Sequence, residues 1–368
     1  MSDKITKFQE LLEQSIRDIA AKTNPETRCL ILSGGVDTCA ILCASHKLKV
    51  TYAAAITVVV EQPTNPTCTD VGASAKFGPD LLFAQAAAKE YKDTIHDNHH
   101  VVKVTPQDLL SDYLPPCIDA LQIFDGMTLR NSLVVAAAFA KASQLGMENA
   151  IVGDAADELM GGYSFMWGKD SDPPEQSTDK RNKMCRQWTF ATQTLAQMHN
   201  LTSHAPYMDS TLVEWVLERI DRSDCIGTRP IRLVYQGPSM DHVTGKILLR
   251  EAYDTVASWR RKDPIEVGSG ITIIGHNEYW KDLLPDDEFE SERLDVKNRL
   301  GFVIKDKEAL INFRIFQKRF GEQGENHPTK KRLERNQGCV NCSFEVGPTE
   351  NFCRICGAYP AQRSGKLH

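Results

Sequence analysis

Two short stretches carry residues whose type and spacing can do chemistry. In Ser33-Gly34-Gly35-Val36-Asp37-Thr38, two glycines allow a tight turn and let main-chain N–H groups come close to an anion. Where such a turn leads from a strand into a helix, the helix N-terminus adds further N–H groups, an arrangement suited to phosphate. Ser33 and Thr38 can donate hydroxyls to the same oxygens, and Asp37 can hold a magnesium ion against a departing pyrophosphate. The lysine of a Walker A loop is absent. A Gly-Gly turn after a strand is as often a plain connection, so this loop alone names no reaction.

The second stretch holds Cys339-Val340-Asn341-Cys342 and Cys353-Arg354-Ile355-Cys356. Each pair can wrap one edge of a tetrahedral zinc ion, and four thiolates leave no open position, which makes such a site structural. Gly357 follows the last cysteine and permits the positive φ that lets backbone N–H groups reach sulfur. So small a segment needs a staple to fold. A redox or disulfide pair is the alternative, which a reducing compartment disfavours. Lys330, Lys331, Arg332, Arg335 and Arg354 lie nearby; a solvated basic run is the plain reading, and RNA contact the functional one.

The elements that would position these residues follow from periodicity. Ile5, Phe8, Leu11, Leu12, Ile16 and Ile19 recur at helical spacing, so residues 5–22 read as an amphipathic helix that ends before Asn24-Pro25. Strands fit residues 29–32, 52–60, 100–104 and 150–152; helices fit 40–46, 79–91, 106–114 and 128–145. Alternation of this kind predicts an α/β fold whose parallel sheet is covered by helices on both faces. Residues 62–78 are rich in Pro, Thr, Asn and Gly; beyond Gly162 the chain reads as mainly helical, with a polar loop at 168–183. His96, His99 and His100 beside Asp97 read as a surface turn rather than a metal site, and the aromatic and Met residues at 163–167 as packing or as pocket lining.

With 368 residues there is room for one large domain and a small appendage. A net charge of -6 excludes the basic excess of a dedicated nucleic-acid binder. No run of about eighteen apolar residues and no signal-peptide pattern occur, so no membrane partner is expected and the expected compartment is the cytoplasm. The cysteines outside the CxxC pairs are expected to be small buried apolar residues.

Further along, Val152-Gly153-Asp154-Ala155-Ala156-Asp157-Glu158-Leu159-Met160-Gly161-Gly162-Tyr163 resembles the GEGADELFGGY segment of asparagine synthetases and β-lactam synthetases. Residues 33–38 resemble the SGGxDS loop of the PP-loop ATP pyrophosphatases, with Thr38 keeping the usual hydroxyl. Other fragments agree in order. Thr128-Leu129-Arg130 resembles TIR, Ala205-Pro206-Tyr207-Met208-Asp209 resembles VPFLD, and Lys246-Ile247-Leu248-Leu249-Arg250 resembles KxxLR. Trp259-Arg260-Arg261-Lys262 and Gly268-Ser269-Gly270 resemble WRxK and GxG, so the likeness spans roughly residues 27–275.

That resemblance implies a PP-loop, HUP-like fold (adenine nucleotide alpha hydrolase) with a helical C-terminal half and a small zinc-ribbon module. The implied divisions are an N-terminal helix at 1–26, a synthetase domain at 27–320, a linker at 321–338 and the ribbon at 339–360. It further implies an AMP-forming carbon–nitrogen ligase using ATP and Mg2+, with structural Zn2+ on Cys339, Cys342, Cys353 and Cys356. Ser33, Gly34, Gly35, Asp37, Thr38 and Gly153 would bind ATP or pyrophosphate, Asp37 and Asp157 the magnesium ion, and Lys262, Asp154 and Arg260 would be catalytic.

Departures from the family narrow the reading. Asp154 stands where asparagine synthetases carry a glutamate that contacts the acyl substrate, and a displacement of about 1 Å at a reacting centre can cost roughly a hundredfold. Either the site is built around another substrate or Asp154 has lost that role. Thr202-Ser203-His204 replaces the family's ExR. No N-terminal cysteine nucleophile of a glutaminase precedes the helix, so the expected partners are a small-molecule acid with ammonia, an amine, or a separate glutaminase subunit. A tRNA-modifying PP-loop enzyme that adenylates a base is the alternative, and a non-catalytic scaffold the third reading.

Overall fold

Strand β1, Arg28–Ile31, carries the apolar run that precedes the glycine turn. It pairs in parallel with β2, Ala54–Val60, whose side chains are all buried, as a strand covered on both faces requires. β3, His99–Val104, lies beyond β2, while β4, Asn149–Ile151, and β5, Thr202–His204, extend the sheet on the other side of β1 by parallel pairing. The order is therefore β3-β2-β1-β4-β5, and the chain reverses direction of growth between β1 and β4. In open sheets of this kind the carboxyl ends of those two strands form the crevice that receives ligands.

This computed structural model describes residues 1–61, 77–167, 174–322, 324–334, 337–348 and 350–362. Most of the expected turn-rich stretch at 62–78, the first six positions of the expected loop at 168–183, and Arg335 lie outside them. Contact clustering separates two units: residues 1–103 with 138–270, and residues 104–137 with 271–368.

In the first unit, helix α1, Ser2–Lys22, buries Phe8, Leu12 and Ile16 on one face, as their spacing predicts. Helix α2, Val36–Leu48, is longer than expected and begins inside the glycine loop, so Asp37 and Thr38 sit on its first turn. Helix α3, Asp80–Glu90, packs Phe83, Ala84 and Ala87 into the core. Cys29, Cys39, Cys43, Cys185 and Cys225 are buried as expected.

Three features of this unit differ from the sequence reading. The described part of the polar segment at 168–183 is helical, Pro174–Gln187; it carries Arg181 and Cys185 inward, and a buried arginine leaves no apolar stripe to detect. Strand β5 lies where the sequence reads as mainly helical, because Thr202-Ser203-His204 offers no apolar run; it is held by β4. A hairpin of β6, Gly227–Arg232, and β7, Ser239–Thr244, was also missed, since Ile231 and Thr244 are its only buried residues.

In the second unit the expected helix at 106–114 continues to Leu121 through a π-helical stretch, Leu109–Tyr113. Pro115 and Pro116 lack the N–H groups that α-helical bonding to the preceding turn needs, which fits a widened turn just before them. Helix Gly126–Gln144 starts in this unit with Asp125 accepting from the Thr128 backbone N–H (2.9 Å) and Oγ1 (2.6 Å). Arg130, of the TIR-like fragment, faces Glu308, whose carboxyl burial pushes up to about 8 against that arginine's pull. Phe124 packs on Phe313 (5.2 Å between centroids) and Phe316 (5.1 Å) of helix Lys307–Phe320. No single helix among the described residues is long and apolar enough to cross a membrane.

Candidate active site and metal centre

The chain leaves β1 through Ser33 and turns at Gly34, whose φ is +78°. A Cβ at Gly34 would lie 2.4 Å from the Asp80 carbonyl oxygen, so both the backbone angle and the space demand glycine. Within the loop Thr38 Oγ1 accepts from the Ser33 N–H (3.2 Å), the two hydroxyls lie 3.1 Å apart, and the Gly35 N–H reaches Ser33 Oγ (3.2 Å). The loop is thus pre-formed by its own hydroxyls.

From the end of β4, Gly153 comes so near that a Cβ there would stand 3.1 Å from both Asp37 Cβ and Thr38 Cγ2. Ala155 takes φ +77° and opens the short helix Ala156–Leu159, which presents Asp157. Lys246, held by its N–H to the Met160 carbonyl (2.9 Å), sends Nζ between the two acids. The distances are 2.7 Å to each Asp37 oxygen and 2.9 Å to Asp157 Oδ1. Lys262 Nζ is 3.5 Å from Asp157 Oδ1 and 5.1 Å from the Tyr163 ring centre. Gly162 is required by proximity, because a Cβ would fall 1.7 Å from Asp157 Oδ1 and 2.5 Å from Lys246 Cε. Below, the buried Tyr207 hydroxyl donates to the Asp37 carbonyl (2.9 Å).

Burial raises the Asp37 carboxyl above its ordinary range, with Lys246 opposing. For Asp157 burial acts the same way, but Lys246 and Lys262 together outweigh it and hold that carboxyl low. Burial works against the Lys246 ammonium, yet Asp157 and Asp37 keep its pKa above the usual lysine value. Lys246 and Lys262 thus converge on Asp37 and Asp157 at the carboxyl ends of neighbouring strands.

The predicted loop residues Ser33, Gly34, Gly35, Asp37, Thr38 and Gly153 come together with Asp157 and Lys262. Asp154 sits close by, its carboxylate accepting from the Thr192 hydroxyl. Burial pushes it up to about 6; Thr192 pulls down and the Asp37 charge adds to the rise. Since the folded state holds this proton more tightly than an unfolded chain titrating near 3.8, Asp154 costs stability increasingly as pH climbs between those values, and fully above them. Asp154→Asn is accordingly expected to melt above the parent at about pH 7.5 and level with it at about pH 4. A gap in melting temperature that widens toward acid would contradict this.

Arg260 takes another position. It is buried, with Nη1 2.7 Å from Asp80 Oδ1 and donating to the Gly34 carbonyl (2.8 Å), and with Nη2 3.2 Å from Asp263. Among the 163–167 residues, Met166 is buried while Phe165 is exposed and stacks on Tyr163 at 5.3 Å. Reasoning from sequence assigned no role to Lys246, Asp80, Tyr207 or Thr192. Lys246 carried one usable signal: it opens the KxxLR-like fragment Lys246-Ile247-Leu248-Leu249-Arg250.

In the second unit Cys339, Cys342, Cys353 and Cys356 place their sulfurs within 4.8 Å of one another, all buried. The Cys339–Cys356 and Cys342–Cys353 separations are 3.8 and 3.6 Å. A disulfide needs about 2.05 Å, whereas Zn–S bonds of about 2.3 Å in a tetrahedron put sulfurs about 3.8 Å apart. The four thiols therefore fit zinc. Gly357 has φ +72° and the Asn341 N–H approaches Cys339 Sγ at 3.4 Å. Around the cluster, Phe344 packs on Phe316 and His327, while His327 Nδ1 accepts from the Thr329 and Lys330 N–H groups and its Nε2 meets the Gln122 carbonyl. The stretch after residue 321 is thus tied down at many points. Among the described residues no other group of three or more His, Cys, Asp or Glu side chains is gathered closely enough to share one ion; His96 and Asp97 form a turn at φ +51°, and burial drives His99 down to about 4.

A solved structure, NMN synthetase from Francisella tularensis, is similar over 58% of this chain and 93% of its own at 12% identity, but a TM-score of 0.27 supports no argument. "Probable asparagine synthetase [glutamine-hydrolyzing]" of Schizosaccharomyces pombe is 24% identical over 345 residues, covering 86% of this chain; the chain spans 56% of that relative's length. The Asparagine synthase family model matches residues 7–194, just over half of the chain. The chain belongs to the asparagine synthase family.

Proposed function

We propose that this chain is an AMP-forming carbon–nitrogen ligase. A carboxylate oxygen of a small-molecule acid attacks the α-phosphorus of ATP, the bond to the β-phosphate breaks, and pyrophosphate leaves. Ammonia or an amine then attacks the acyl carbon, its C–O bond to AMP breaks, and nitrogen gives up a proton. Free ammonia, an amine-bearing substrate or a separate glutaminase subunit supplies the nitrogen.

The observation that carries this reading is the convergence of Lys246 and Lys262 on Asp37 and Asp157 beside a glycine loop and a helix N-terminus. Pyrophosphate departure concentrates negative charge, and preorganised cations stabilise it at no cost of reorganisation. Two partly buried carboxylates facing one cation fit magnesium, which Asp37 and Asp157 would hold and which would neutralise phosphate charge. Lys246 and Lys262 bind the same anionic oxygens, the loop N–H groups orient them, and Tyr207 fixes the backbone that carries Asp37. Arg332 gives the RNA reading little support, since its guanidinium donates to the Leu300 carbonyl and lies over Phe302.

ATP–pyrophosphate exchange with pools of candidate acids, and with bulk tRNA as a separate arm, tests the proposal. Exchange with an acid pool that vanishes in Asp37→Ala and Lys262→Ala is the expected result. Full exchange in both variants would remove these residues from the reaction, and exchange with tRNA alone would favour the base-modifying alternative.

A further inference from the structure

We infer that Asp80 is a positioning residue that ties the nucleotide loop to the lysine-bearing segment. It stands at the start of α3 and touches three motif segments that are far apart in sequence. Its carboxylate pairs with Arg260 at 2.7 Å; a Cβ at Gly268 would lie 2.1 Å from its Oδ2; its carbonyl oxygen is the atom that a Cβ at Gly34 would strike. Arg260 completes the link by donating to the Gly34 carbonyl (2.8 Å) while its guanidinium lies 4.2 Å from the Phe83 ring centre.

The physical consequence runs through one peptide plane. In a trans peptide the carbonyl of one residue and the N–H of the next point opposite ways. Fixing the Gly34 carbonyl on Arg260 therefore fixes the direction of the Gly35 N–H, which meets the Ser33 hydroxyl on the other side. Lys262 follows Arg260 by two residues, so the same anchor also holds the segment that brings its ammonium to Asp157. Arg260 is only 3% exposed, and a guanidinium so enclosed keeps its place only with a carboxylate against it. Asp263 supplies a second, longer contact at 3.2 Å and bonds to Arg261 as well, which leaves Asp80 as the closer partner.

The test compares Asp80→Asn, which retains an acceptor for Arg260 at equal volume, with Asp80→Ala, which retains none. For folded protein the Kd for Mg-ATP by calorimetry is expected to rise about tenfold in the Asn variant and about a hundredfold in the Ala variant. Hydrogen exchange without nucleotide is expected to quicken at residues 33–38 and 259–262 and to stay unchanged in α1. A purely structural residue would lower the melting temperature and leave the Kd of folded protein alone. Mg-ATP binding within twofold of the parent in both variants, with residues 33–38 as protected as before, would overturn the inference. The binding arm rests on the ligase reading: a parent protein that binds no Mg-ATP would sink that reading, and the hydrogen-exchange result alone would then decide the role of Asp80. Should the Ala variant not fold, the Asn variant carries both measurements.

Discussion

Lys246→Ala is expected to lower pyrophosphate exchange about a thousandfold, an effect of the size seen when a preorganised charge is withdrawn from a reacting centre. The side chain is only 2% exposed and is the one group in contact with both Asp37 and Asp157 among the described residues. Removing it leaves two acids facing each other with Lys262 in reach of Asp157 alone. The Asp37 carboxyl, already raised by burial, loses its chief opposing charge and moves higher. Residual exchange in the variant should therefore fall more steeply than the parent's as pH is lowered, because protonated Asp37 is a poorer ligand. Rates measured at several pH values, beside a melting curve that confirms folding, check this. A variant within tenfold of the parent would place the pyrophosphate elsewhere.

Cys353→Ser should produce the largest loss of stability. In small modules metal binding contributes folding free energy outright, and this module has little apolar core of its own. Without the metal, Phe344 loses its hold on Phe316 and His327, and the Asn341 side chain releases Val303, with which it exchanges hydrogen bonds through N–H (3.2 Å) and C=O (3.4 Å). The parent should contain one zinc ion per chain by elemental analysis. The variant should lack it and melt lower by roughly 10 °C, since a few kcal/mol shifts a domain of this size by that order. Chelator treatment of the parent should reproduce the shift. A zinc-free protein that melts with the parent would make the cluster incidental.

What could be seen in advance was what is local. The glycine loop and both CxxC pairs declare themselves because each packs its chemistry into a few consecutive residues, and the strand-helix alternation that carries the loop has a period that can be counted. Contacts made across long sequence separations stayed hidden. Lys246 meets Asp37 from 209 positions away, and only the folded chain shows that its ammonium bridges two acids. Arg260 looked like part of a basic run with Arg261 and Lys262; the fold buries it against Asp80 and leaves Lys262 to face the acids. β5 and the β6–β7 hairpin had no periodic signal, since their places are set by pairing rather than by an apolar face. Thr192, the partner of Asp154, opens a short helix with no capping bond from its own neighbours, so nothing nearby singled it out.

Where ATP is cut decides between an AMP-forming ligase and any other use of the nucleotide. Incubation with α-labelled ATP, magnesium and whichever acid supports exchange should yield labelled AMP and an equal amount of pyrophosphate, with both lost in Lys246→Ala. Labelled ADP from the parent protein would contradict the AMP-forming reading, because cleavage would then fall between the β- and γ-phosphates.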